Sequence, residues 1–235
     1  MAIVSNQKSL ILKKHSRFRF VYNPYFYEND SINDNLQQLL SLIINRHLCN
    51  AKDKKTVALK KLVKRINIPI DSIIRKIPTV DLSVMPSGSF SLSQLNDSAN
   101  FESNLTEMKE GNILFGSIRP YLKKAGIAPC NGAVTGTIYQ YEILDERFYN
   151  LILYSLTSQQ IFDYATKSSH GTKMPVVNSD RLLEYSIEYT EELLDDIEIL
   201  NLKDIIVRNC KENSNLTKLR DFLLPLLMNE QATID

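Results

Sequence analysis

Apolar positions recur along this chain with more than one period, and the periods predict different elements. Between Ser31 and Leu48 the residues Ile32, Leu36, Leu39 and Ile43 follow one another at +4, +3 and +4, which predicts an amphipathic helix with a heptad-like seam. Ser31 with Asp34 three residues on marks its start, and the seam requires a partner. The Lys-rich stretch Cys49–Lys55 reads as a linker. After it come short segments rich in β-branched and aromatic residues, Ile66–Ile70, Thr79–Val84, Asn112–Ser117, Ala133–Tyr141 and Leu182–Tyr189. Ser87-Gly88, Asn96-Asp97, Gly126 and Asn131-Gly132 separate them as turns. Phe148–Ala165 is densely apolar with no turn signal and predicts a helix packed on the sheet.

From Thr190 the pattern becomes that of a long helix. Thr190 can cap, Glu191 and Glu192 suit the positive first turn, and neither Gly nor Pro intervenes before Pro225. Leu193, Ile197 and Leu200, then Ile199, Leu202 and Ile206, supply apolar stripes, which resume at Leu216, Leu219, Leu223 and Leu226. Unbroken to Leu224, the rod would reach roughly 52 Å at about 1.5 Å per residue. That is more than the middle domain can cover, so the expected arrangement is a coiled-coil-like spacer with the Ser31 helix or with a second chain. The alternative is a hairpin broken near Asn213–Asn215. The fold class expected is therefore a mixed α/β domain over residues 51–189, preceded by an N-terminal segment and short helix over 1–50 and followed by a long helix over 190–235. Residues 1–29, basic and aromatic around Asn23-Pro24, read as irregular or as a short strand, either a leader or the remnant of a truncated first half.

Charge sharpens this division. The 235 residues carry 28 Lys and Arg against 27 Asp and Glu, so the net charge of +1 demands no polyanionic partner. Its distribution is uneven. Ala51–Val80 holds nine basic residues against Asp53 and Asp71, a local +7, whereas Leu182–Asp235 holds five basic against twelve acidic, a local −7. One region can thus face a polyanion while another stays in solvent, although two solvated faces that merely differ would look the same. Cys49, Cys130 and Cys210 are solitary and far apart, as expected of reduced thiols in a cytoplasmic protein. His15, His47 and His170 share no ligand spacing, so no metal site is expected, and no apolar stretch is long enough for a membrane helix.

Catalytic constellations are missing from the sequence. Seven scattered glycines form neither a dinucleotide fingerprint nor a phosphate loop, and no Gly-x-Ser-x-Gly elbow occurs. Asn23-Pro24-Tyr25-Phe26 faintly echoes the base-binding loop of amino-methyltransferases but lacks its second proline. The strongest signal is the run Lys109–Lys124, in which an apolar strand, Asn112–Ser117, empties into Arg119-Pro120, with Tyr121, Lys123 and Lys124 beyond. A planar guanidinium there suits phosphate or a guanine edge, and the lysines suit backbone phosphates. Arg119 tied to a local carboxylate, with the lysines merely solvated, is the plain alternative.

That run resembles the segment Gly-Asp-Ile-Leu-Phe-Ser-Ser-Ile-Arg-Pro-Tyr-Leu-Lys-Lys of target recognition domains in the specificity (S) subunits of type I restriction-modification systems. Three further pieces agree in order. Asp81-Leu82-Ser83 with Pro86-Ser87-Gly88-Ser89 resembles the family's strand and polar turn, His170–Pro175 its Ser-Gly-Thr-Thr-Met-Pro loop, and Leu219–Gln231 the end of its conserved helix. Departures are Asn112 for Asp, Gly116 for Ser, His170 before the loop glycine and Glu230 where Gly is common. The resemblance covers about residues 56–231, and Ser31–Leu48 is similar to the end of a spacer helix.

The resemblance implies a half-size, non-catalytic subunit that reads one part of a split target in double-stranded DNA and docks modification (methyltransferase) subunits through its helices, with the restriction subunit joined indirectly. S-adenosylmethionine and ATP would then sit on those partners, with no cofactor in this chain. Two copies, or this chain with another specificity subunit, would complete a bipartite reader; a strut of roughly 50 Å corresponds to about 15 base pairs. The DNA-contacting residues expected are Arg119, Lys123 and Lys124, Tyr121 packing their loop, Ser117, Ser87 and Ser89 in the polar turns, and Ser169, His170, Thr172 and Lys173 in a second loop, with Lys52–Arg65 adding sequence-independent affinity. The competing expectations are an interaction module that pairs with another specificity subunit to alter target choice, and a degenerate solitary methyltransferase.

Overall fold

A computed structural model describes residues 27–70, 76–101, 104–171 and 173–228, with the last two residues described by backbone alone. Asn23–Phe26 and Thr172 lie outside them, as does nearly all of the segment 1–29. The described residues form ten strands: β1 (Lys55–Ala58), β2 (Val63–Ile66), β3 (Pro78–Val80), β4 (Asn96–Asp97), β5 (Leu105–Met108), β6 (Ile113–Gly116), β7 (Ala125–Ile127), β8 (Gly132–Thr135), β9 (Ile138–Ile143) and β10 (Ser186–Tyr189). They make two four-stranded sheets, ordered β2-β9-β6-β7 and β4-β3-β8-β5, and a ribbon in which β1 pairs antiparallel with β10. β3 runs parallel to β8; the other pairings are antiparallel. This is a mixed α/β architecture, as the alternating segments predict.

Side-chain alternation sets the layers. In β6, Ile113 and Phe115 face one large core and Leu114 faces a second, so this sheet is buried on both sides. The second core joins Leu114 and Ile138 to Val80, Met108 and Val134 of the other sheet. Two helices, α2 (Tyr149–Thr157) and α3 (Gln159–Lys167), cover the opposite face, where Phe115 stacks on Phe162 with ring centroids 5.3 Å apart. The expected single helix Phe148–Ala165 is thus two. Ser158 leaves helical geometry at ψ 154° and caps α3, its hydroxyl accepting from the Ile161 amide. Ala133–Tyr141 likewise divides into β8 and β9 around a turn at 136–137, and Leu182–Tyr189 divides into the end of α4 (Ser179–Leu183) and β10. The strand expected at Ile66–Ile70 lies earlier, as β2, and the supposed linker already contributes Lys55 to β1.

The helices depart furthest from expectation. The first, α1 (27–50), extends upstream of Ser31, and its buried line is Asn29, Asn33, Leu40 and Ile44 with Leu36 half-buried; Ile32 and Leu39 of the expected seam are exposed. The C-terminal rod is not continuous. α5 (Glu191–Glu198) is capped by Thr190 as expected, then the chain turns at Asn201, φ +42°, into α6 (Leu202–Met228). Asparagine tolerates this left-handed geometry better than other side chains with a Cβ. The break therefore lies at 199–201, and neither an unbroken rod nor a hairpin at 213–215 is found. Leu193, Leu194 and Ile197 of α5 and Leu202, Ile206, Val207 and Cys210 of α6 join the same core as Leu40 and Ile44 of α1 and Phe115 of the sheet. The head thus covers the first half of the rod. Beyond it α6 exposes Leu219 and Phe222.

α1 and α6 run antiparallel, and buried asparagines fix their register. The Asn29 side-chain amide donates to Asn213 Oδ1 and that of Asn209 donates to Asn33 Oδ1, each at 2.9 Å and one helical turn apart. Asn213 also donates to Asp30 at 2.9 Å.

Candidate nucleic-acid interface

Strand β6 delivers the chain to Ser117, and the loop beyond it is held by a dense set of backbone bonds. Pro120–Leu122 form a single 3-10 turn flanked by Arg119 (φ +50°) and Lys123 (φ +52°), both in the left-handed region. Each such residue costs on the order of 1 kcal/mol or more and persists only where its surroundings dictate it. Here they do. The Arg119 amide donates to Pro175 O, Leu122 N to Arg119 O, Lys123 N to Pro120 O, and Gly88 N to Lys123 O, all at 2.9–3.0 Å. The loop thereby joins the two other segments singled out in the sequence: Ser87 bridges Lys124 on one side, and Ile118 bridges Val176 on the other. The second loop is itself closed by His170 bridging Val176 and by Gly171 at φ +98°.

The expected contact residues fall into two groups. Arg119, Tyr121, Lys123, Ser87, His170 and Lys173 are exposed on this face. Ser117, Lys124 and Ser169 instead spend their polar groups within the protein. Ser117 is 3% exposed and its hydroxyl donates to Thr137 O at 2.8 Å. The Lys124 ammonium donates to Leu82 O and to Met85 O, tying the 82–85 turn beneath the loop. The Ser169 hydroxyl donates to Thr166 O at the end of α3, and the half-buried Ser89 shares a hydrogen bond with Ser91. These four position the face; the first six form it.

Residues that the sequence reading did not place at this face support it. Gln37 of α1 donates to Gly88 O at 2.8 Å and accepts from Phe90 N at 3.1 Å, gripping the polar turn from behind. The Arg65 guanidinium lies 4.2 Å from the centroid of the Tyr139 ring, whose hydroxyl donates to Val177 O at 2.6 Å at the foot of the second loop. Burial pushes the Tyr139 phenol up, with Arg65 opposing, so it stays a donor at neutral pH. Lys167, exposed at the end of α3, adds a cation beside the loop. Asn112 is buried, and its side-chain amide nitrogen has no partner among the described residues. No single residue type announces the Gln37 and Tyr139 contacts, which join positions 51 and 38 residues apart.

Among the described residues, the ion pairs lie elsewhere: Lys54–Glu188 and Lys55–Glu191 at the ribbon, Arg147 with Glu191 and Asp195, His47–Asp196, Lys203–Glu146, Lys211–Glu110 and Arg220–Asp221. The segment 52–65 that carries the local positive excess is thus partly neutralised by the acidic C-terminal stretch. Arg119, Lys123, Lys167 and Lys173 form none of these pairs, and neither do Lys52, Lys60, Lys61, Lys64, Arg65, Lys76 and Lys109. No group of three or more His, Cys, Asp or Glu able to hold a metal occurs among the described residues, and no helix among them is long and apolar enough to cross a membrane.

Fold and face together define a mixed α/β head set between helices and presenting a cationic loop surface. Among solved structures the chain is similar to an HsdS subunit from Thermoanaerobacter tengcongensis, with 12% identity and a TM-score of 0.46 over 96% of this chain and 57% of that one. It is also similar to a type I restriction-modification S subunit from M. genitalium, with 17% identity and a TM-score of 0.44 over 96% and 58%. A third, from a structure concerned with complex assembly and conformational transition of the type I R-M system, shows 11% identity and a TM-score of 0.43 over 94% and 58%. The chain spans somewhat more than half the length of these proteins. No protein-family model and no curated protein matches it.

Proposed function

We propose that this chain is a DNA-reading specificity subunit of a type I restriction-modification complex, and that the face built by Ser87, Arg119, Tyr121, Lys123, His170 and Lys173 meets the duplex. The observation that carries this reading is the convergence of three segments, distant in sequence, on one surface. Its cations Arg119, Lys123 and Lys173 have no carboxylate partners among the described residues. Such cations release counterions on meeting phosphate, and a guanidinium on a rigid loop can also address a guanine edge. In this reading the helices dock modification subunits, which carry S-adenosylmethionine and the methyl-transfer chemistry, and ATP belongs to the restriction subunit. The chain itself performs no catalysis. The apolar end of α6, where Leu219 and Phe222 stand exposed, is where a second copy or another specificity subunit joins to make a two-part reader.

Binding of the full chain, alone and with its modification subunits, to duplexes enriched from a randomised pool tests this. Arg119→Ala with Lys123→Ala is expected to weaken specific binding at least tenfold and to lower the salt-dependence slope by about 0.9 for each phosphate that the variant no longer neutralises, with an unchanged melting temperature. Unchanged affinity at moderate salt rejects the assignment.

A further inference from the structure

Four large apolar side chains stand exposed on the same two loops that carry the unpaired cations: Tyr121 (55%), Leu122 (38%), Met174 (51%) and Val176 (41%). A surface that only gripped phosphate would gain nothing from them, because phosphate contacts come from charged and polar groups. They are also held in place rather than trailing in a loose loop. Val176 exchanges both backbone bonds with His170, the neighbouring Val177 amide donates to Ser117 O at 2.7 Å, and the Arg119 amide donates to Pro175 O between Met174 and Val176. Backbone pairing sets 174–176 alongside 118–119, so these apolar side chains and the cations Arg119, Lys123 and Lys173 belong to the same pair of joined loops.

Duplex DNA offers few apolar projections to such a strip. In the major groove the base edges present hydrogen-bond donors and acceptors and one apolar group, the C5 methyl of thymine, whereas the minor groove presents none. Resting on the reading that this face meets DNA, we propose that Met174 and Val176, flanked by Tyr121 and Leu122, recognise thymine C5-methyl groups in the major groove. At least one A·T pair of the target is then specified by apolar contact rather than by hydrogen bonds, while the cations of the same loops set the register on the phosphates.

Replacing each preferred thymine of an enriched duplex by deoxyuridine removes the methyl and leaves base pairing unchanged. For the full chain, affinity is expected to fall about fourfold at each contacted position, the effect of one buried methyl. Met174→Gln with Val176→Ser, both on exposed positions and checked by thermal melting, is expected to abolish that difference between thymine and uracil while keeping the wild-type salt slope. Indifference of the wild type to uracil at every preferred position overturns the proposal, as does a variant that keeps the full difference or an enriched target with no preferred A·T pair. These failures leave DNA reading intact. A wild-type chain that binds no duplex, alone or with its modification subunits, removes DNA reading and the methyl contact together.

Discussion

At the scale of single residues, chemistry that stands on the surface was legible and chemistry spent inside the protein was not. Arg119, Lys123 and Lys173 look functional in the sequence because a proline turn and a glycine loop surround them, and they are exposed as expected. Ser117, Lys124 and Ser169 look equally suitable, yet nearby backbone carbonyls take their donors. Only the folded chain reveals which carbonyls lie within reach. Asp30 gives a prediction with a sign. Burial raises its carboxyl, hydrogen bonds from Ser93 and Asn213 pull it down, and the charge of Asp34 pushes it up, with a net rise. A carboxyl raised on folding favours the folded state below its unfolded value near 4, and that contribution is lost as pH climbs through the raised one. Asp30→Asn, which keeps an acceptor for Ser93 and Asn213, is therefore expected to melt at or above the wild-type temperature at pH 7, with the difference closing near pH 4. A variant clearly less stable than wild type at pH 7 and level with it at pH 4 would reverse the sign.

At the scale of elements, type was easier to read than continuity. Thr190 caps α5 as its position predicts, and β6 occupies the apolar run before Arg119. The breaks were hidden because the residues that make them, Ser158 and Asn201, are tolerated inside helices as well as at their ends, and neither is Gly or Pro. The phase of α1 was hidden for another reason. Its buried line contains Asn29 and Asn33, which an apolar pattern excludes and which only their partners on α6 make tolerable. The turn at Asn201 is directly testable. Alanine there is expected to cost about 1 kcal/mol, because its Cβ opposes the left-handed geometry, whereas glycine is expected to cost nothing or to stabilise slightly. Equal melting temperatures for Asn201→Ala and Asn201→Gly would contradict the assigned backbone.

At the scale of the whole molecule, the segregation of charge along the sequence is not its segregation in space. The +7 and −7 stretches meet at the β1–β10 ribbon and partly cancel through Lys54–Glu188 and Lys55–Glu191, while Arg119, Lys123 and Lys173, on loops that no local count singles out, are unpaired as well. The rod is likewise less independent than its length implies, because half of it shares a core with the head. Gln37 gives that union a consequence. It sits on α1, yet it holds both the carbonyl of Gly88 and the amide of Phe90, and Gly88 in turn holds Lys123. Gln37→Ala is expected to leave the fold intact and to weaken duplex binding several-fold, the loss of about 1–2 kcal/mol of local order; full affinity in this variant would show that the grip is idle. Handle and fingertip are thus one side chain apart, so in the proposed reading a subunit that clasped the helices would also steady the surface offered to the target.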